Sequence, residues 1–364
     1  MRQKLFRASA VVLGTVLTAV LVAATVLVTA RWRVVGDTVE AAARWTDTDI
    51  VLRISEGERQ REWQYGGTGQ STPDPHSRFR IGSITKTFVA TVVLQLVDEG
   101  KVDLDGSIAA QLPDPIPDGN RITVRQLMNH TSGLYDYMKE PGLSTNRWRG
   151  DDRFRSHAPR DLLATAVRHD PYFAPGARFR YSNTNYIALG LLIEHVTSHR
   201  YGDEIRNRVL TPLRLTATTV PGDDPRLPAP ALTAYRDIDG AGRVDVTEMN
   251  PSLDWAAGEM LSTTADLDAF YAALLGGRLI SPASLDRMRE TVPMGMGFHY
   301  GLGLQRFAPP CGDELWGHGG ELLGYVSYAF RSTDGRSLTM VLGSAASSDA
   351  LSLFATVTAT YCLA

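Results

Sequence analysis

The sequence predicts a two-domain α/β (α+β) fold in which an antiparallel sheet flanked by helices is interrupted by an all-helical insert. Three observations carry that prediction. Strand patterns stand near both ends of the chain, at residues 49–54 and again at 325–330 and 338–342. A helix that is apolar on nearly every side follows the first of them. Residues 101–250 alternate helical segments with Pro- and Gly-rich turns and carry few strand patterns. The α/β domain is therefore discontinuous, built from residues 38–100 and 251–364, with a mostly helical insert over 101–250 between its halves.

The elements follow in chain order. Residues 1–33 form a signal-anchor or signal peptide: no charged side chain occurs from 8 to 30, with Arg2, Lys4 and Arg7 before and Arg31 and Arg33 after. This run exceeds an ordinary signal core and matches a membrane span with the N-terminus inside, whereas Val28-Thr29-Ala30 offers a small-residue cleavage site, so both readings stand. Asp49-Ile50-Val51-Leu52-Arg53-Ile54 reads as a strand, and Arg78-Phe79-Arg80-Ile81-Gly82 leads into a helix beginning near Ser83. Phe88, Val89, Val92, Val93, Leu94, Leu96 and Val97 surround that helix, and Gly100 stops it. In the insert, Pro113 to Gly119 and Pro221 to Pro230 mark turns. Thr263 followed by Asp266 resembles a capping box for a helix that buries Leu267, Phe270, Tyr271, Leu274 and Leu275 and ends at Gly276-Gly277. A hairpin turning at Asp334-Gly335 and a terminal helix over 351–361 complete the chain.

Composition narrows the partners and the compartment. The chain of 364 residues carries a formal charge of −3, but residues 1–33 hold five basic and no acidic groups, leaving 32 basic against 40 acidic in the remainder. That balance argues against a nucleic-acid partner. Export places Cys311 and Cys362 in an oxidising compartment, where a disulfide across about fifty residues would contribute roughly 4 kcal/mol; two buried free thiols are the alternative. The histidines lack paired ligand spacing and the cysteines are far apart, so no metal or other cofactor is implied.

Ser83-Ile84-Thr85-Lys86 places a hydroxyl one helical turn from an amine, on the same helix face. The chain has only four lysines, Lys4, Lys86, Lys101 and Lys139, and otherwise uses arginine, which cannot give up its proton; a lysine here points to an amine that must. Helix N-terminal N–H groups would favour the oxyanion formed there. Tyr181-Ser182-Asn183 and His318-Gly319-Gly320 follow in order.

These three motifs together resemble the penicillin-recognising serine hydrolases. His-x-Gly as the third is similar to the serine D-alanyl-D-alanine carboxypeptidase branch of the class C β-lactamase group. Asp105 with Ile122-Thr123-Val124-Arg125, His130-Thr131-Ser132-Gly133-Leu134-Tyr135-Asp136-Tyr137, and Tyr300-Gly301-Leu302-Gly303-Leu304 agree with it, from about residue 38 to the end. The resemblance implies a β-lactamase/transpeptidase-like fold, Ser83 as nucleophile and Lys86 as its proton partner. It implies that Tyr181 acts with Lys86 as base and then as acid to the leaving group, which requires a neighbouring cation to lower its pKa. It selects Asn183 to bind the substrate's amide carbonyl, leaving Asn185 as a turn or cap residue. His318 extends the relay and keeps the site electropositive. The His130 segment shapes a turn below the site. The oxyanion hole is expected from the N–H groups of Ser83 and Glu321, with Gly319 and Gly320 permitting close approach.

One part of the pattern is missing. Carboxypeptidase relatives hold the substrate's terminal carboxylate with hydroxyls on either side of the glycine and an arginine on the preceding strand; here those places hold Gly319, Glu321 and Gln305. Arg306 could stand in only by a one-residue strand slip, which would turn it to the opposite face. The expected protein is an exported serine hydrolase of the D-alanyl-D-alanine carboxypeptidase or β-lactamase family, acting on a small peptide, ester or β-lactam through an acyl-enzyme and meeting the membrane through residues 1–33 if these are uncleaved. An esterase or D-amino-acid amidase on the same scaffold, and an anchored binder of β-lactams or cell-wall peptides that never turns over, are the alternatives.

Overall fold

An eight-stranded antiparallel sheet joins the two ends of the chain in the computed structural model, which describes residues 32–67, 71–309, 314–344 and Phe354. Its strands are β1 (Asp49–Glu56), β2 (Arg59–Tyr65), β7 (Val292–Gly295), β8 (Phe298–Tyr300), β9 (Gln305–Phe307), β10 (Leu315–Leu322), β11 (Tyr325–Ser332) and β12 (Arg336–Gly343), in the order β2-β1-β12-β11-β10-β9-β8-β7. Short pairs β3 (Phe79–Arg80) with β6 (Leu261–Ser262), and β4 (Tyr235–Ile238) with β5 (Gly242–Asp245), stand apart. β1 lies against β12 from Asp49↔Gly343 to Glu56↔Arg336, so the first strand completes its sheet only when the last one arrives.

Both faces of the sheet are covered, and β1 shows how. Val51 belongs to the larger core with Phe88, Val92 and Phe270, whereas Ile50, Leu52 and Ile54 point the other way onto Trp32, Val35, Val39 and Phe354. Trp32, Val35 and Val39 come from a helix over residues 32–46, α1. The central helix α2 (Thr85–Asp98) is buried on all sides, as its sequence requires, and Phe88 stacks on Phe270 at 3.7 Å. Gly100, at φ +69, follows its last turn.

The segment 101–250 contains α3 (Val124–Met128), α4 (Pro159–Ala166), α5 (Thr184–Thr197), α6 (Tyr201–Ile205) and α7 (Thr211–Leu213), yet it is not all-helical. Asp239-Gly240 makes a turn with Gly240 at φ +80, and the flanking residues pair as the β4–β5 hairpin, a turn signal the helical reading passed over. α8 (Thr264–Leu275) and α9 (Pro282–Met288) precede the closing strands. Thr263 caps α8 by accepting from Asp266 N–H at 3.2 Å, but only half of the expected capping box forms. The Asp266 carboxylate instead receives Ala217 N–H at 3.0 Å and the Thr218 hydroxyl at 2.8 Å, tying the insert to α8.

The apolar run at 8–30, Cys311, Cys362 and the terminal helix expected at 351–361, apart from Phe354, lie outside the described residues. Among the described residues no helix is long and apolar enough to cross a membrane.

Candidate active site

A single 3-10 turn, Gly82–Ile84, precedes α2 and carries Ser83. Lys86 follows in the first turn of α2 with no exposed surface. Its Nζ lies 3.0 Å from Ser83 Oγ, 2.9 Å from Asn183 Oδ1 and 2.6 Å from the Ala257 carbonyl oxygen. Burial lowers the pKa of Lys86 to about 7, while Asp254 and then Asp136 hold it up. A neutral amine has two N–H groups and one lone pair. The two carbonyl oxygens take the former, which leaves the lone pair directed at Ser83 Oγ.

Tyr181 O–H donates to Ser83 Oγ at 2.8 Å, and its ring lies 4.9 Å from Nζ. Its pKa moves opposite to expectation. Burial raises the phenol well above its ordinary value against the lowering effect of Ser83, so Tyr181 is protonated in the resting site and Lys86 is the neighbour whose shift suits a proton acceptor. His130, fully buried, stacks on Tyr181 at 4.1 Å and turns Nδ1 toward Ser182 N–H at 3.2 Å and Asn185 Nδ2 at 3.1 Å. Asn185 is thus a buried support beneath the tyrosine, also accepting from the Ser132 hydroxyl at 2.6 Å, and not a turn residue.

Asn183 presents Oδ1 to Lys86 because Asp136 fixes its other end. The Asp136 oxygens lie 3.3 and 3.4 Å from Asn183 Nδ2, and one accepts the Asn183 backbone N–H at 3.2 Å. The donor expected to meet a substrate carbonyl therefore faces Asp136 in the resting site.

His318 lies on β10, buried, with Nδ1 donating to the Gly319 carbonyl at 2.5 Å and Nε2 2.9 Å from the Tyr300 hydroxyl. Burial drives its pKa down to about 3. The imidazole is neutral, so the positive charge expected of it is absent, and Tyr300 rather than Tyr181 is its hydroxyl partner.

β9 pairs with β10 only at Leu315, Trp316 and Gly317, which leaves the edge of residues 318–322 turned toward α2. Gly319 N–H uses that edge to reach Gln305 Oε1 at 3.0 Å; Glu321 N–H, two residues on, points the same way. The approach is possible only with glycine. A Cβ on Gly320 would lie 2.0 Å from the Ile81 carbonyl oxygen, and one on Gly82, at φ +50, 2.7 Å from that of Glu321. Ser83 N–H stands in the first turn of a helical segment, where such groups lack an intrahelical partner. The two N–H groups thus border one cleft, an oxyanion hole in form.

The carboxylate clamp is physically displaced. Gln305, 6% exposed, is committed to Gly319 N–H. A Cβ on Gly319 would meet the Tyr328 ring at 3.2 Å, so a hydroxyl residue there needs that ring to give by a few tenths of an ångström. Glu321 is exposed at the rim, and Arg306 pairs with Glu314 at 2.6 Å. Sequence reading missed Asp136, Asp254, Tyr300 and the Ala257 carbonyl; Asp136 and Tyr300 lay inside quoted motifs, while the other two had no local signal. Among the described residues no three His, Cys, Asp or Glu side chains converge on a metal-sized group.

Similarity to known proteins agrees with this geometry. The Beta-lactamase family model matches residues 40–355. Penicillin-binding protein 4 of Amycolatopsis lactamdurans is 30% identical over 72% of this chain, and a penicillin-binding protein of Bacillus subtilis 28% identical over 73%. The chain spans 70% and 60% of those relatives' own lengths and 55% of a third. Among solved structures, the D-stereospecific amidohydrolase from Streptomyces sp. superposes with a TM-score of 0.80 at 39% identity, covering 87% of this chain and 96% of that one. The D-amino acid amidase from Ochrobactrum anthropi SV3, complexed with L-phenylalanine amide, gives 0.81 at 27% identity over 91% and 98%. With a family match over most of its length and a serine, a lysine and a tyrosine brought together at one helix start, the chain belongs to the Beta-lactamase family and has the fold of its serine hydrolases.

Proposed function

We propose that the protein hydrolyses peptide-like amides or esters through an acyl-enzyme on Ser83 and prefers substrates without a free C-terminal carboxylate. The observation that carries this reading is Ser83 Oγ held between Lys86 Nζ at 3.0 Å and Tyr181 O–H at 2.8 Å. Ser83 Oγ attacks the carbonyl carbon while its proton passes to Lys86 Nζ. Negative charge on the substrate oxygen meets the N–H groups of Ser83 and Glu321. Tyr181 then gives its proton to the departing amine or alcohol as the carbon–heteroatom bond breaks, and recovers one from Lys86. Water cleaves the acyl-enzyme by the reverse path, returning the Ser83 proton. Preference for amides and esters follows from Gln305, Gly319 and Glu321, which offer no cation to a terminal carboxylate.

The similarity to a D-stereospecific amidohydrolase and a D-amino acid amidase supports amide cleavage. Relatives named as penicillin-binding proteins favour a second reading, slow acylation by β-lactams without turnover. Steady-state assays of the full chain on a D-Ala-D-Ala peptide, its C-terminal amide, a short-chain ester and a β-lactam separate the two. Faster cleavage of the free acid than of the amide would restore a carboxypeptidase; an adduct persisting for hours with no turnover would support the binder.

Export belongs to the same proposal, with residues 8–30 as anchor or cleaved signal and Cys311 bonded to Cys362. It is supported by the uncharged run between basic flanks. Fractionation, N-terminal sequencing and non-reducing peptide mapping test it; a cytoplasmic chain with two free thiols would refute it.

A further inference from the structure

Directly beneath Lys86, residues 253–258 form a turn whose conformation is costly. Trp255 sits at φ +39, a left-handed conformation unusual for so large a side chain. Its ring is pinned against α5, where a Cβ on Gly190 would lie 2.6 Å away, and meets Tyr201 edge-on at 4.6 Å. Within the turn Ala257 N–H donates to the Asp254 carbonyl at 2.8 Å, and the Ala257 carbonyl accepts from Lys86 Nζ at 2.6 Å. Asp254 opens the turn and is 4% exposed. One carboxylate oxygen accepts from the Thr145 hydroxyl at 3.1 Å; the other is buried without a hydrogen-bond partner. A buried carboxylate oxygen left unpaired is destabilising unless its charge serves a neighbour.

We propose that Asp254 is a positioning residue for Lys86, opening the strained turn that presents the Ala257 carbonyl to Nζ and supplying from its unpaired oxygen the negative charge that the amine meets from below. This rests on Lys86 being the proton acceptor of Ser83. Asp136 is the other carboxylate that acts on the amine; His130 and His318 act on it as rings, and the Tyr181 and Tyr186 rings, both held protonated by burial, lie 4.9 and 5.4 Å from Nζ. Arg149 and Arg80 lower the Asp254 pKa, and Glu259 opposes the Asp254 charge. Burial pushes Asp254 up and pulls Lys86 down, and against that pull the Asp254 charge helps the amine keep its proton. Neutralising Asp254 leaves Lys86 a weaker hold on its proton, and the amine becomes free to act at lower pH.

The test is acylation of the full chain by a p-nitrophenyl ester between pH 5 and 9. In Asp254→Asn, which keeps the size and the Thr145 acceptor, the acid limb should move down by about one pH unit. Thr145→Val withdraws the donor that supports the carboxylate charge and should move the limb the same way by less, which covers the case of an Asp254 variant that fails to fold. Carbon-13 lysine spectra give a readout without turnover, because the chain has four lysines, and the Lys86 midpoint should fall by the same amount. An unmoved limb and midpoint with lower rates at every pH, the result of a merely structural residue, would overturn the proposal, as would a shift upward. Ester acylation and the lysine titration do not depend on amide turnover, so failure of the amide reading is seen separately.

Discussion

Acidification should switch off acylation by protonating Lys86, whose hold on its proton Asp254 and Asp136 strengthen. Only the neutral amine can accept the Ser83 proton, and burial sets its pKa at about 7. The reactive fraction is therefore about one half at pH 7, about one tenth at pH 6 and about one hundredth at pH 5. The sign follows from the cause: burial disfavours the charged amine, so activity is gained as pH rises through this value and lost tenfold for each unit below it. Lys86→Arg removes the deprotonated form altogether, because a guanidinium stays charged to above about pH 12. Loss of a positioned base costs about 10²- to 10⁴-fold, so Lys86→Arg should be as slow as Lys86→Met despite keeping the charge. Burst-phase release of p-nitrophenol from an activated ester measures the acylation rate for each variant. A rate that is flat from pH 5 to 8, or an arginine variant that keeps more than about a tenth of the activity, would show that Lys86 anchors charge and moves no proton.

Other expectations follow from neighbouring residues. Ser83→Ala should abolish covalent labelling by a fluorescent penicillin, checked by intact mass; an adduct in that variant would place the nucleophile elsewhere. The unmodified enzyme should prefer a peptide amide over the matching acid by about tenfold or more, and Gln305→Arg combined with Glu321→Thr should narrow or reverse that gap in kcat/KM. Gly320→Ala drives a Cβ to 2.0 Å from the Ile81 carbonyl oxygen, so it should lower Tm and cut kcat by at least about 100-fold as the oxyanion donors separate; near-normal kinetics would remove Glu321 N–H from the mechanism. His318→Asn should leave the acid limb in place, since the imidazole is already neutral at every pH of the assay. A limb that moved would return His318 to the proton relay.

Much of the fold was legible because its signals are local. The apolar surround of α2, the Thr263 cap, the Asp334-Gly335 hairpin turn and the Ser-x-x-Lys spacing each depend on residues within a few positions of one another. The β4–β5 hairpin carried such a signal too and was outweighed by the helical pattern around it. Ser83, Lys86 and Tyr181 were recognisable as types in an order, and the glycines at 319 and 320 as places where backbones must meet. Proton assignments were not legible, because a pKa is set by burial and by charges brought from elsewhere in the chain. The sequence could name Tyr181 and His318 but could not say that desolvation holds the first protonated and the second neutral. Asn183 likewise turns its carbonyl to Lys86 because Asp136, 47 positions away, holds the other end. Asp254 and the Ala257 carbonyl had no motif to announce them; they matter because the strained Trp255 turn brings the Ala257 carbonyl across 171 positions of sequence, with Asp254 beside it, to one buried amine. By itself the sequence determined the chain's family and pointed to Ser83 as the proposed nucleophile and to Gln305, Gly319 and Glu321 where relatives carry a carboxylate clamp. The folded interior decided which groups hold protons, since the free energy of a charge depends on the solvent that tertiary packing removes.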